Sequence, residues 1–306
     1  MIEAQNISKR YGEILAVNDV SFVAEAGDVV GFLGPNGAGK TTTMRILTGF
    51  LPATDGTAIV DGHDIFAEPL AARRAVGYLP ETPPLYPEMD VRGYLTYVAK
   101  LKDVPRAKRR DAVDRATERC GLAEVRRRVI GSLSKGYRQR VGIAQAIVHD
   151  PSVLILDEPT VGLDPIQIRE IRELIRGLGS ERSVILSTHI LSEVQATCHR
   201  VQIIRAGELI YNASIESLNQ GHDSSFAIAL RNPVAADELA AVDGVDLVEP
   251  LEDGRYRVFI APGASPDQLV TSSVENDWGL YELVPEQQSL EDLFIELTHN
   301  EQASAP

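Results

Sequence analysis

Cysteine is almost missing from this chain. Cys120 and Cys198 are the only two in 306 residues, too few and too far apart for a disulfide framework or a cysteine-rich metal cluster. A reducing cytosol is the expected setting. Long apolar runs are missing too: none reaches the roughly 18 residues of a membrane span, and the opening MIEAQNISKRYG has no apolar signal core. The chain is not expected to cross a bilayer by itself. Positive charge is in short supply, with 30 Lys and Arg against 44 Asp and Glu and a net charge of −14. Such a chain is a poor ligand for nucleic acid through its overall field, so no nucleic-acid partner is expected. Internal repeats, low-complexity tracts and sustained heptads are all absent.

What is present is enough apolar material for real cores, 44% of 306 residues, and a length that at roughly 150 residues per domain suggests two domains. The charge divides them. From Glu216 onward there are 18 acidic and three basic residues, a local balance of −15, which leaves +1 for the first 215. Together with the polar stretch from Asn219 to Ser225, this shift places a boundary near residue 220 and gives units of 1–219 and 220–306. Within the first unit, Lys100 to Arg128 holds 11 basic and five acidic residues among strong helix formers. That segment reads as charged and helical, either a solvated face or a contact for an anion or lipid.

Short apolar stretches between Ile14 and Leu33 look like strands, and the last of them leads into Gly34-Pro-Asn-Gly-Ala-Gly-Lys-Thr-Thr42. This fits G-x-x-x-x-G-K-[ST], and Thr43-Met-Arg-Ile-Leu47 continues it as a helix. In such a loop the glycines let successive backbone N–H groups of Gly34, Pro35, Asn36, Gly37, Ala38 and Gly39 curl around phosphates where the residue has an N–H to give. The positive end of the following helix adds to the attraction. Lys40 is expected to bridge the β- and γ-phosphates, Thr41 to offer its hydroxyl to Mg²⁺, and Thr42 to support the α/β side.

A second element fits the same chemistry. Val153-Leu-Ile-Leu156 is a continuous apolar run of the kind buried on both faces in a parallel sheet, and it ends in Asp157-Glu158-Pro159-Thr160. If Asp157 faces the metal, Glu158 turns toward the γ-phosphate, where it can orient and deprotonate a water.

Between these sites lies Leu133-Ser-Lys-Gly-Tyr-Arg-Gln-Arg140. It follows the LSxGxxQR signature, and here the chain resembles one family, the ATP-binding cassette ATPases. The resemblance spans about residues 1–215. It implies that Tyr11 stacks on adenine, that Glu158 is the catalytic carboxylate, that Gly162-Leu-Asp-Pro165 is the D-loop with Asp164, and that His189 contacts the γ-phosphate. In a family-like head-to-tail dimer, Ser134, Gly136 and Gln139 would face the ATP held by the other subunit. The implied fold is α/β: a P-loop NTPase with a RecA-like core, an N-terminal antiparallel β region, a helical subdomain at about 86–149, and a small α+β C-terminal domain. ATP and Mg²⁺ are the implied cofactors, with Thr41, Glu81 and Asp157 around the metal.

Glu81 departs from the pattern, since most family members carry Gln there. Gly77-Tyr-Leu-Pro-Glu81 is similar to the subgroup that powers ABC-2-type exporters, which implies an ATPase subunit on the cytoplasmic face of a membrane beside a separate multi-span permease. A soluble, nucleotide-gated cassette acting in assembly or scaffolding is the alternative. Leu85, Tyr86 and Tyr94 are expected to form the groove for the permease's coupling helix.

Ile171, Leu174, Ile175 and Leu178 after Pro165 predict an amphipathic helix. In the tail, Phe226–Leu230 and Tyr256–Ile260 alternate as strands, segments at Leu239 and Asp267 read as short helices, and Ser289 caps a final helix striped by Leu290, Leu293, Phe294 and Leu297. This ending resembles the accessory domain of the same subgroup, where a regulatory or dimer-supporting role is expected.

Overall fold

The computed structural model describes residues 1–220, 225–251, 254–261, 263–285 and 290–299. Contacts divide the chain into two compact units, Met1–Ile215 and Glu216–Pro306. The first runs β1 (Ile2–Tyr11), β2 (Ile14–Ala24), β3 (Val29–Leu33), α1 (Lys40–Leu47), β4 (Asp55–Val60), β5 (His63–Asp64), α2 (Pro69–Ala75), β6 (Val76–Leu79), α3 (Val91–Leu101), α4 (Arg109–Arg119), α5 (Lys135–Ile147), β7 (Val153–Asp157), α6 (Pro165–Gly179), β8 (Ser183–Thr188), α7 (Leu191–Thr197), β9 (Arg200–Arg205) and β10 (Glu208–Ser214).

Two sheets result. An antiparallel sheet has the order β2-β1-β4-β5, and a mostly parallel one has the order β10-β9-β3-β8-β7-β6. Every residue of β3, β7 and β8 is buried, which is why their stretches Val29–Leu33, Val153–Leu156 and Val184–Leu186 carry no polar side chain and no alternation. Between the sheets lies α1. Its Met44, Ile46 and Leu47 join Ile2, Ile7 and Phe22 of the antiparallel sheet and Phe32, Val153, Ile155 and Ile185 of the parallel one in a single core. Burying one such side chain is worth about 1.5–3 kcal/mol, so α1 is fixed from both sides.

The register of the parallel strands decides where the chemistry falls. Leu33 of β3 pairs with Thr188 of β8, and Asp157 of β7 pairs with Ser187 of β8. Three chain segments therefore leave the sheet at one level on its carboxyl edge, the usual place for ligands in open α/β sheets.

The charged segment from Lys100 to Arg128 is interrupted, not one helix. α3 ends at Leu101, Asp103 takes a left-handed conformation (φ +57°), and Pro105 falls in the turn before α4. Proline lacks an N–H and favours such a break. α4 buries Ala112, Val113, Ala116 and Thr117 and turns its arginines outward. As expected from its spacing, α6 buries Ile171, Ile175 and Leu178.

The second unit contains α8 (Ile215–Gln220, whose first residue belongs to the first unit), β11 (Ser225–Leu230), α9 (Ala236–Ala240), β12 (Val245–Pro250), β13 (Arg255–Ile260), α10 (Asp267–Glu275), β14 (Leu280–Pro285) and α11 (Leu290–His299). Its sheet order is β12-β13-β11-β14, antiparallel throughout. This is the βαββαβ split arrangement, with Phe226, Ile228, Leu230, Tyr256, Val258, Leu269 and Trp278 in its core. The strands β12 and β14 are absent from the sequence-based expectation. They lie at the sheet edges and are only partly buried, so the apolar alternation that reveals a strand is weak in them. The expected cap at Ser289 lies outside the described residues.

Candidate functional site

The phosphate loop joins β3 to α1. Gly39 stands at the helix N-cap with φ +106°, a conformation L side chains rarely adopt, and a Cβ there would lie 2.6 Å from the Ala16 carbonyl oxygen. No side chain caps the helix and no acidic residue sits in its first turn. Its free N–H groups thus face a cleft of about 470 Å³, lined by Ala16, Asn36, Gly37, Gly39, Lys40, Thr41, Thr42, Glu81, Glu158, Val161 and His189. That volume suits a nucleotide-sized ligand. Beneath the loop, Lys40 Nζ donates to the carbonyls of Gly34 and Pro35 at 2.7 and 3.2 Å. Ala38 is buried.

Lys40 also lies 3.7 Å from Glu158 Oε1, both side chains being nearly inaccessible. Burial pushes its ammonium below the usual lysine range, and the carboxylates of Glu158, Asp157 and Glu81 oppose that push. Asp157 is fully buried, and neither of its oxygens has a hydrogen-bond partner. Burial raises its carboxyl above the ordinary range, while the nearby hydroxyls of Ser187 and Thr41 draw it part of the way back. A buried carboxylate with no donor at full hydrogen-bond geometry is costly. A divalent cation would satisfy it, and Thr41 and Glu81, which line the cleft and lie near Asp157, could supply further oxygens, although among the described residues no cluster of three carboxylate, imidazole or thiol groups forms a ready-made metal site.

Glu158 adopts φ +49°, uncommon for a residue with a side chain. Its N–H donates to the Ser187 carbonyl at 2.9 Å, and both of its carboxylate oxygens are 3.0 Å from His189 Nδ1. Nδ1 therefore acts as donor toward Glu158.

The signature residues assemble elsewhere. Ser134 caps α5 and accepts from the Tyr137 N–H; Asp164 caps α6 and accepts from the Gln167 N–H at 2.9 Å. A second cleft of about 310 Å³ is lined by Gly121, Ser134, Gly136, Tyr137, Arg140, Gln167, Glu170 and Ile171. A Cβ on Gly136 would lie 2.7 Å from Gln167, so the glycine lets the two helix starts approach. The two clefts share no residue. Gln139 is buried and lines neither cleft. Tyr11 also stands outside both, half exposed at the tip of the β1–β2 hairpin with Lys9 Nζ 5.4 Å from its ring centre.

Comparison with known proteins follows this geometry. The ABC transporter family model matches residues 17–161. The ABC transporter ATP-binding protein YhcH of Bacillus subtilis (strain 168) is 35% identical over 97% of this chain and 96% of its own length. The chain belongs to the ATP-binding subunits of ABC transporters. The bacitracin transport ATP-binding protein BcrA of Bacillus licheniformis is 34% identical over 97% of both chains. Among solved structures, the ATP-binding subunit of an ABC transporter aligns with a TM-score of 0.65 at 28% identity, covering 72% of this chain and 92% of that one. The expected P-loop α/β fold and ATPase activity hold.

Sequence reasoning missed several residues of this ABC ATPase. Gln167 packs on Gly136, and Tyr97 rather than Tyr94 faces outward beside Tyr86: the Tyr86 and Tyr97 rings are 5.7 Å apart and both are partly exposed. Tyr94 is buried and donates its hydroxyl to the Pro84 carbonyl at 3.1 Å. Glu193 is the most consequential omission. It is 1% exposed; Thr160 donates to one carboxylate oxygen and Thr188 to the other at 2.8 Å, with Arg172 at 4.0 Å. Thr160 follows Glu158 by two residues and Thr188 precedes His189, so one buried carboxylate ties together the turns that carry both. Its only sequence signal is an acidic residue one helical turn beyond the histidine. Replacing Glu193 by Ala leaves two buried hydroxyls without their acceptor and is expected to cost about 2–4 kcal/mol, measured by denaturant unfolding. A loss below about 0.5 kcal/mol contradicts this role.

Proposed function

We propose that this ABC ATPase hydrolyses Mg²⁺-ATP in a head-to-tail homodimer at the cytoplasmic face of a membrane and drives a separate multi-span permease, as an exporter of the ABC-2 type. The observation that carries the reading is the cleft itself, lined by an uncapped helix N-terminus and the Glu158–His189 pair, with the buried Asp157 close to Thr41 and Lys40.

In this reading the first turn of α1 and the Lys40 ammonium bind the β- and γ-phosphates. Thr41 and Asp157, with Glu81 near by, would hold Mg²⁺, which supplies charge neutralisation between those phosphates. Glu158 orients a water and accepts its proton. His189 fixes the carboxylate through Nδ1–H. Ser134 and the Gly136 N–H lie at the start of α5, away from the cleft, and would complete the site on a second copy. Hydrolysis is then coupled to closing and opening of the pair, the motion that can perform work.

Support for transport comes from the relatives: BcrA is named for bacitracin transport. Among the described residues no helix is long and apolar enough to cross a membrane, and in this reading the permease supplies the spanning part. The Pro83–Pro84 turn and the exposed rings of Tyr86 and Tyr97 present an apolar surface next to Glu81, suited to a helix from that chain. The cargo is not contacted by the cassette.

Three variants test this. Glu158→Gln should lower turnover by about 10²–10⁴-fold while ATP still binds and an ATP-dependent dimer accumulates in sedimentation velocity; unaltered turnover would remove Glu158 from the chemistry. Lys40→Ala should instead lose nucleotide binding. For coupling, Tyr86→Glu should abolish copurification with the permease from detergent-solubilised membranes while ATP affinity stays within about twofold of the parent. That bound corresponds to about 0.4 kcal/mol. Retained association places the docking surface elsewhere.

A further inference from the structure

We propose that a basic cavity at the amino end of β6, remote in the fold from the strand ends that carry the ATP cleft, binds a phosphate-bearing anion. About 560 Å³ in volume, it is lined by Arg74, Lys102, Asp103, Val104, Pro105, Lys108, Ala112, Arg115, Val148, His149 and Asp150. Here the excess of positive charge noted between Lys100 and Arg128 comes together with the end of α2.

The charges do not balance internally. Asp103 is answered by Arg74 at 3.0 Å, and Asp150 by Arg182. Lys102, Lys108 and Arg115 remain, and among the described residues none of the three has a carboxylate within ion-pairing distance. Lys108 and Arg115 are seven residues apart with Ala112 between, the i, i+4, i+7 spacing of one helix face. The short Ala112 side chain leaves room between the two cations. Lys102 closes the other side. Among the described residues its ammonium makes one hydrogen bond, a long one of 3.4 Å to the Val76 carbonyl, and burial together with Arg73 pushes its ammonium below the usual range. His149 contributes no charge, because burial lowers its imidazole to about 4. A cavity with several cations, one of them desolvated, is stabilised by an anion whose oxygens can accept from more than one of them. A phosphate group has the charge and the acceptors.

Two sources of that group are compatible with the surroundings. Leu70 is 70% exposed one turn before Arg74 on α2, and Leu101 is 63% exposed next to Lys102. Exposed leucines beside basic residues suit a lipid headgroup at a membrane surface, whereas a soluble phosphate ester needs only the cations.

The test uses the full chain and its Lys108→Gln/Arg115→Gln variant, both positions being exposed, one just before α4 and one on it. Binding is measured by cosedimentation with phosphatidylglycerol vesicles against phosphatidylcholine vesicles, and by calorimetry with inorganic pyrophosphate. The difference between parent and variant isolates this cavity from the ATP cleft. Removing two cations should weaken binding by about 30-fold in one of the two arms, with ATP hydrolysis and melting temperature unchanged. A loss confined to the anionic vesicles assigns a lipid headgroup, and a loss confined to pyrophosphate assigns a soluble ligand. Equal binding by parent and variant in both arms overturns the proposal.

Discussion

The site depends on the register of three parallel strands. With Leu33 opposite Thr188 and Asp157 opposite Ser187, the phosphate loop, the acidic pair and His189 are delivered to one edge of a fully buried sheet. A shift of one residue in β7 would turn Asp157 to the other face and leave Lys40 without its carboxylate neighbours. The register also explains how a lysine and carboxylates can be held nearly out of water. Their cost is met by the apolar packing of β3, β7, β8 and α1, which fixes the charges before any ligand arrives. In the proposed function, that prearrangement is what suits the cleft to a phosphate chain and a cation together.

The division of labour along the chain follows from the same geometry. Lys40, Glu158 and His189 share one cleft, while Ser134 and Gly136 share another with Gln167. In the proposed dimer, the helix start in the second cleft of one copy would complete the first cleft of the other. Glu193 adds a rigid link behind the first cleft, so that the turns bearing Glu158 and His189 move as one body. The −14 net charge is a sum over unlike parts: the second unit carries the deficit, and the first is near neutral yet holds a basic cavity.

Contiguous motifs were legible without coordinates because their chemistry depends on neighbours in sequence. The loop from Gly34 to Thr42 is shaped by local glycines, and the strand before Asp157 announces its double burial by having no polar residue. Glu193, Tyr97 and Gln167 were not legible, since their partners lie on other elements: Glu193 is one acidic residue in a short amphipathic helix until Thr160 and Thr188 fold onto it. The exchange of Tyr94 for Tyr97 on the exposed surface reflects helix phase. Three residues apart, the two rings share a side of α3, but only Tyr94 lies close enough to Pro84 to be covered. The edge strands β12 and β14 escaped for the opposite reason, because partial exposure leaves little pattern to read.

The central claim is that each active site is shared between two copies. The most direct measurement mixes two inactive chains, Lys40→Ala and Ser134→Arg, and follows ATP hydrolysis. In a mixed dimer one site combines both substitutions, but the other joins an intact Lys40 cleft to an intact Ser134 face. The account predicts that activity absent from either chain alone returns on mixing. Full activity of the Ser134→Arg chain by itself, or no recovery in mixtures shown to contain mixed dimers, would contradict it.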